Sequence, residues 1–145
     1  MTEIRQLLDP NHTLPIVRLD TIKSYNFDYL LRDQINIVAE DEVVGKLDLV
    51  SETHGAERFA HFDGIEIKEE SRGRGIGLAT YALAIEMSHA RNFDFQTQNY
   101  ELTEHSKKVW ENLAKKGIAQ VVEPFTPSRR FEGRFLGKYR VPVRH

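Results

Sequence analysis

Between Ile67 and Gly77 the chain reads Ile-Lys-Glu-Glu-Ser-Arg-Gly-Arg-Gly-Ile-Gly. Three glycines, Gly73, Gly75 and Gly77, alternate here with Arg72, Arg74 and Ile76. Glycine accepts positive φ and lets another group approach the backbone closely. Such a turn at a helix start directs several unpaired amide N–H groups, and the positive end of the helix dipole, at one point. Two guanidinium groups beside it favour phosphate over a plain surface turn. The chemistry written into this stretch is anion binding.

The elements that must position the turn can be read on either side of it. A strand-forming run, Phe62 to Ile67, enters it, and a helix-forming run, Leu78 to Arg91, leaves it. Upstream, Ile35, Ile37 and Ala39 alternate with Asn36, Val38 and Glu40, which predicts a strand. Asp41-Glu42 then make a turn, and Val43 to Val50 form the return strand of a hairpin. A loop from Glu52 to Ala56 leads to a third strand over about 57–68. Antiparallel strands ahead of the glycines do not make a βαβ unit, which argues against a dinucleotide fold. Spacing agrees. Counted from Gly73, a G-x-G-x-x-G motif would end on Leu78, and no Gly-Lys-Ser/Thr run exists for a P-loop.

Downstream, Leu78, Ala82 and Ile85 recur at helical spacing, with Tyr81, Ala84 and Met87 beside them, which predicts a core helix. Phe93, Phe95 and Thr97 alternate with Asp94, Gln96 and Gln98 as a fourth central strand. It should run parallel to the strand before the turn through a right-handed crossover. Leu102, Ser106, Val109, Trp110 and Leu113 form the stripe of a second helix over 103–116. Thr103 stands at its N-cap, Lys115-Lys116 in its last turn, and Gly117 just beyond. Ile118 to Glu123 and Arg134 to Val141 complete the strands. Residues 1–33 are the least readable. Ile4, Leu7 and Leu8 suit a short helix ended by Asp9-Pro10, Ile16 to Leu19 a first strand, and Tyr25 to Arg32 has mixed periodicity.

At 145 residues, with 40% hydrophobic and 29% charged content, the chain suits one domain across 1–145 with a sizeable core. No apolar run reaches membrane-spanning length, and the first residues show no signal-peptide pattern. The absence of cysteine excludes disulfides and a thiol nucleophile and suits a cytoplasmic protein. Six histidines show no metal-ligand spacing, so no metal is expected. The net charge of −2 hides an asymmetry. From Thr126 onward six Lys/Arg face one acid, Glu132, leaving about −7 on the remainder. Such a tail suits an acidic partner or simple solvation.

The pattern Ile67-x-x-x-x-Arg72-x-x-Gly75-x-Gly77 resembles the acetyl-CoA signature of the GCN5-related N-acetyltransferases, a likeness that covers roughly Ile35 to Phe125. The second helix resembles the same family's N-x-x-A-x-x-L-Y-x-K-x-G-F run. Thr103 stands where asparagine is usual, Ser106 where alanine is, Val109 where leucine is, and Trp110 where tyrosine is. The resemblance implies an α/β fold with a mixed, mostly antiparallel sheet and two principal helices. It implies acetyl-CoA as co-substrate and a small-molecule or peptide amine as acceptor. Pantetheine would pair with the backbone of Ile65, Glu66 and Ile67, and the pyrophosphate with Arg72, Gly73, Arg74, Gly75, Ile76 and Gly77. Ser106 and Trp110 would line the cofactor groove. In the family the first 33 residues usually carry two helices, and the missing tyrosine removes the usual acid for the departing thiolate.

An amine must lose a proton before it can attack. Candidate bases are His61, Asp63 and Glu66; strand alternation puts His61 and Asp63 on one face with Ile65 and Ile67, and Glu66 on the other with Phe62. Each also has a plain reading, an exposed charge or a hydrogen-bonded sheet histidine. Ser106, Tyr100 or a bound water could replace the absent acid, while Trp110 suits core packing. Two other classes stay open. One is an acyl-CoA-binding module without turnover. The other, disfavoured by the overall acidity, is a nucleic-acid-binding protein using the basic tail with Phe131, Phe135 and Tyr139. A homodimer is compatible with the sequence.

Overall fold

Four strands form an antiparallel meander: β1 (Val17–Phe27), β2 (Leu30–Ala39), β3 (Glu42–His54) and β4 (Glu57–Ile67). They belong to an eight-stranded mixed sheet in a computed structural model that describes residues 3–98 and 100–143. A short helix, α1 (Glu3–Leu8), precedes the meander. Helix α2 (Ile76–Ala90), strands β5 (Asp94–Gln96) and β6 (Leu102–Thr103), helix α3 (Glu104–Lys115), and strands β7 (Gln120–Pro127) and β8 (Arg134–Val141) follow it. The strand order is β1-β2-β3-β4-β5-β8-β6, with β7 paired to β8. This is the expected mixed, mostly antiparallel sheet with two principal helices, and β4 and β5 form its parallel pair.

The hairpins are longer than alternation alone predicts. The second strand starts at Leu30 rather than near Ile35, and its partner β1 runs eleven residues instead of ending at Leu19. A two-residue turn, Asp28-Tyr29, joins them, with Asp28 at φ 43°. The next turn is Glu40-Asp41, both at positive φ, one residue earlier than Asp41-Glu42. Aspartate tolerates this conformation better than most residues, which suits Asp28 and Asp41; Glu40 has no such preference. The region where the family usually carries two helices is therefore a short helix, a loop and a hairpin.

Cross-strand neighbours share a face, so register assigns the two sides of the sheet. Ile35, Leu47, Leu49, Phe62 and Ile65 lie on one side. Tyr81 of α2 packs edge-on against Phe62 at 4.8 Å, and Trp110 of α3 stacks on Phe95 at 5.6 Å. With α1 resting on α2, the helices of the described chain gather on that side. The opposite side, carrying Arg32, Asp48, Val50, His61 and Asp63, has no helix over it among the described residues.

Helix α3 begins where its sequence says it should. The Thr103 side chain accepts from Ser106 N at 3.1 Å, and Gly117, at φ 74°, closes the other end with Ile118 N on Leu113 O at 2.9 Å. Its buried residues are Val109, Trp110 and Leu113. Among the described residues no helix is long and apolar enough to cross a membrane.

Candidate active site

Strands β4 and β5 pair only at Phe59 with Asp94 and Ala60 with Phe95. Beyond that point β5 continues on β8, while β4 stays on β3 as far as Ile67. The two parallel strands thus separate, and the β5-facing edge of β4 is left bare from His61 onward. Lys68 N donates to Val44 O at 2.8 Å, so strand alternation turns the N–H and C=O of Ile67 and Ile65 away from β3, into the gap. The outward Ile67 carbonyl already has one partner, Arg72 Nε at 3.0 Å.

The gap opens onto the glycine turn. Gly75 is the N-cap of α2 in the left-handed region, φ 81°, which re-aims the chain from the short 3-10 turn Glu69–Ser71 into the helix. Ala79 N donates to Gly75 O at 3.1 Å as the first helical bond. Among the described residues, the six backbone N–H groups from Gly73 to Leu78 have no acceptor. They sit at the positive end of a fifteen-residue helix. Such a run of donors fits a diphosphate.

The walls of the turn come from segments that periodicity cannot place. A Cβ on Gly75 would lie 3.0 Å from Leu14 Cδ2 and 3.3 Å from Pro15 Cδ. That loop is fixed by the buried Asp9 carboxylate, which accepts from Thr13 N at 2.7 Å and Leu14 N at 2.9 Å, and by Arg5, which donates to Pro15 O at 3.1 Å. On the other side a Cβ on Gly77 would meet His105 Nε2 at 3.6 Å. Arg74 lies 3.7 Å from Glu40 in an exposed pair.

On the uncovered face the three candidate bases come together, because β4 carries a bulge. Asp63 and Gly64 occupy the space opposite the single Asp48, with Gly64 at φ 105°. This extra residue shifts the alternation, so the sequence-based faces need correcting. Glu66 joins His61 and Asp63 on the uncovered face, while Ile65 and Ile67 join Phe62 on the helix side.

Their surroundings differ. His61 is 7% exposed, with Nε2 2.8 Å from Glu52 Oε2 and Nδ1 3.3 Å from Phe62 O, so both ring nitrogens face oxygen acceptors. Glu52 also takes His54 Nε2 at 2.9 Å. Burial pushes the Glu52 carboxyl up, but the two imidazole hydrogen bonds outweigh it and hold the group below its ordinary value. Asp63 accepts from Arg32 Nη2 at 2.5 Å and from the Tyr100 hydroxyl at 3.2 Å. Arg32 also bonds Asp48 at 2.8 Å. The Arg32 hydrogen bond is the main reason that Asp63 sits below the ordinary aspartate range, with burial opposing it. Burial, then the Asp63 charge, pushes Tyr100 up to about 12, so its proton stays in place. Glu66 is exposed and has no side-chain partner among the described residues.

Trp110, 1% exposed, lies in the core between Phe95, Tyr81 and Tyr139. Ser106 is half-buried and lies 3.2 Å from Thr103 Oγ1. The Tyr81 hydroxyl is a buried neighbour of both. Burial raises it to about 12, while hydrogen bonds with Ser106 and Trp110 pull the other way. Arg32, His105 and the Leu14-Pro15 wall are the site neighbours that the sequence did not single out. No group of three or more metal-ligating side chains occurs among the described residues.

A splayed parallel pair above an amide-lined turn leaves a gap that can take an extended ligand ending in a diphosphate. The chain belongs to the acetyltransferase (GNAT) family, whose model matches residues 1–114. Two solved structures are similar to it. One is a tandem GNAT protein from the clavulanic acid biosynthesis pathway, without acetyl-CoA, 21% identical with a TM-score of 0.49; the match covers 70% of this chain and 32% of that one. The present chain therefore spans about a third of the tandem protein's length. The other is Mycobacterium smegmatis RimJ in complex with CoA-disulfide, 19% identical with a TM-score of 0.49, covering 97% of this chain and 74% of that one. No curated protein matches the chain.

Proposed function

We propose that this protein transfers an acetyl group from acetyl-CoA to a primary amine by direct attack, with both substrates held together. The observation that carries this reading is the run of unpaired amides from Gly73 to Leu78 at the mouth of the gap between β4 and β5. The amides would hold the pyrophosphate with help from Arg72 and Arg74, and the bare edge at Ile65 and Ile67 would pair with pantetheine. Acetyl-CoA supplies the acyl group as a thioester.

The protein's part is to orient, to receive charge and to move protons. Ile67 N–H points into the gap, where it can donate to the carbonyl oxygen as that oxygen gains charge. Glu66, unpartnered and beside the gap, takes the proton from the amine, directly or through one water. The amine nitrogen bonds to the thioester carbon as the carbonyl oxygen takes the negative charge; when the carbonyl re-forms, the C–S bond breaks and the departing thiolate takes a proton from water. Asp63 is a weaker base because Arg32 and Tyr100 already occupy its oxygens. It serves to fix Tyr100 and the loop that bears it. A reading as a binding module without turnover draws on Trp110, which stands in the core where the family usually has tyrosine.

Gly73 offers a clean test, because a Cβ there meets nothing within 4 Å. Asp and Asn both tolerate its positive φ, so Gly73→Asp and Gly73→Asn differ mainly in charge. Calorimetry should show CoA binding weakened by at least about tenfold more in Asp than in Asn, the scale of one charge-assisted contact. Equal affinities would overturn the assignment of the turn. Acetylation of any amine by the wild-type protein would dismiss the binding module.

A further inference from the structure

We infer that the tip of the β7–β8 hairpin selects an acceptor in which acidic side chains or phosphates lie within a few residues of the reacting amine, on a peptide. This rests on the transfer reading above and adds the acceptor's chemistry to it.

Two consecutive residues tie the hairpin tip to the reaction face. Tyr100 donates to Asp63 on β4, and Glu101 Oε2 accepts from Ser128 Oγ at 3.3 Å. Leu102 and Thr103 then pair with Phe135 and Arg134, so the base of the tip is bound to the N-cap of α3. The tip itself is ordered. Ser128 N donates to Arg134 O at 2.8 Å, and Ser128 Oγ accepts from Arg130 N at 3.1 Å and Phe131 N at 3.2 Å. Side-chain reach and one 3.8 Å step between Tyr100 and Glu101 put the Ser128 hydroxyl at most about 22 Å from the Asp63 carboxylate, roughly six or seven extended residues.

Charge says what the tip takes. Arg129, Arg130 and Arg134 are exposed and have no carboxylate partner among the described residues. Arg130 lies over the Phe131 ring, 5.2 Å from its centroid, which pre-orders its guanidinium. Within the tip Glu132 alone opposes them; Glu101 at its base keeps its charge while it accepts from Ser128, which leaves three guanidiniums against two carboxylates. Forked guanidiniums match carboxylate and phosphate oxygens. Among the described residues no helix lies over the reaction face; Val50 and His61 are buried there, but Asp63 and Glu66 remain accessible, so a polypeptide can lie across them.

The experiment uses full-length protein and two fluorescent peptides, each with one free amine, followed over eight positions by Asp/Glu or by Asn/Gln. Acetylation should favour the acidic peptide by about tenfold in kcat/KM at low salt, as screened charge contacts would give. Replacing Arg129, Arg130 and Arg134 by Ala should remove that preference, leaving CoA affinity and the rate on the neutral peptide unchanged; Lys at the same positions should keep part of it. Equal rates for the two peptides, or a preference that survives the Ala variant, would overturn the inference alone. A fall in CoA affinity would reassign the tip to the cofactor. Fluorescence anisotropy separates the two readings: charge-selective binding that the Ala variant loses, without turnover, supports the tip and overturns acetyl transfer. Tighter binding of single-stranded DNA than of the acidic peptide would reassign the tip to nucleic acid.

Discussion

Tyr100 Oη stands 3.2 Å from Asp63 Oδ1, on the opposite oxygen from the one Arg32 holds. A carboxylate bonded on both sides is a scaffold more than a base. Glu66→Gln should therefore lower kcat by about 10²–10⁴, the usual worth of general-base help. Asp63→Asn should cost less than about tenfold in kcat while lowering Tm, since it weakens the tie to Arg32. Steady-state kinetics with thermal melts on both variants checks this. The reverse ranking would make Asp63 the base.

The same network predicts how stability responds to acid. Asp63 and Glu52 are both held below their ordinary values of 3.8 and 4.5. A carboxyl lowered by folding contributes stability above its unfolded pKa and loses it as pH falls through the folded one. The loss should set in below about pH 5 and deepen as pH falls through and below the ordinary carboxyl range. Arg32→Met removes the main cause for Asp63. Its Tm deficit relative to wild type should hold steady near neutrality and shrink below about pH 4. A deficit that grows on acidification would show that the pair does not stabilise the fold.

Much of this site could be read in advance, for local reasons. The glycine turn, the Thr103 cap and the stripe ending at Leu113 are signals carried by neighbouring residues, and neighbours are what a sequence displays. The faces of His61, Asp63 and Glu66 were hidden by one inserted residue at Gly64, which only the pairing with Asp48 reveals. Alternation counts residues and cannot see a bulge. Leu14 and Arg32 were hidden for a different reason. Their importance lies in contacts with Gly75 and Asp63, far off in sequence, and no periodicity links such pairs.

Leu14 against Gly75 leads to a prediction about packing. Gly75→Ala must hold a Cβ at φ 81° and 3.0 Å from Leu14 Cδ2. It should cost about 1–3 kcal/mol, combining backbone strain with overpacking. Gly73→Ala carries the strain without the contact and should cost less. Leu14→Ala in the Gly75→Ala background should recover part of the loss. Urea unfolding of the set checks the order, and equal costs for the two glycines would show that the Leu14 contact relaxes freely.

Trp110 sets the last test. Its indole stacks on Phe95 at 5.6 Å and meets Tyr81 and Tyr139 edge-on at 6.1 and 6.4 Å. Trp110→Ala should cost about 3–5 kcal/mol, as large aromatic truncations in cores do, and Trp110→Phe about 1–2 kcal/mol. The indole N–H is a donor but no usable acid, so in the proposed transfer the departing thiolate takes its proton by another route. A thiol pKa near 8.5 makes that thiolate a tolerable leaving group near neutral pH. Trp110→Phe should then keep turnover within about tenfold and CoA affinity within a few-fold, because it removes packing and no proton. Trp110→Tyr brings an acid to the place the family usually gives it and should raise kcat, provided the smaller ring still packs. Tyr81→Phe completes the set, since the Tyr81 hydroxyl is the buried partner of Trp110 and Ser106. A Trp110→Phe protein that melts normally and binds CoA, yet loses more than about a hundredfold in turnover, would show that the indole N–H itself acts in the reaction.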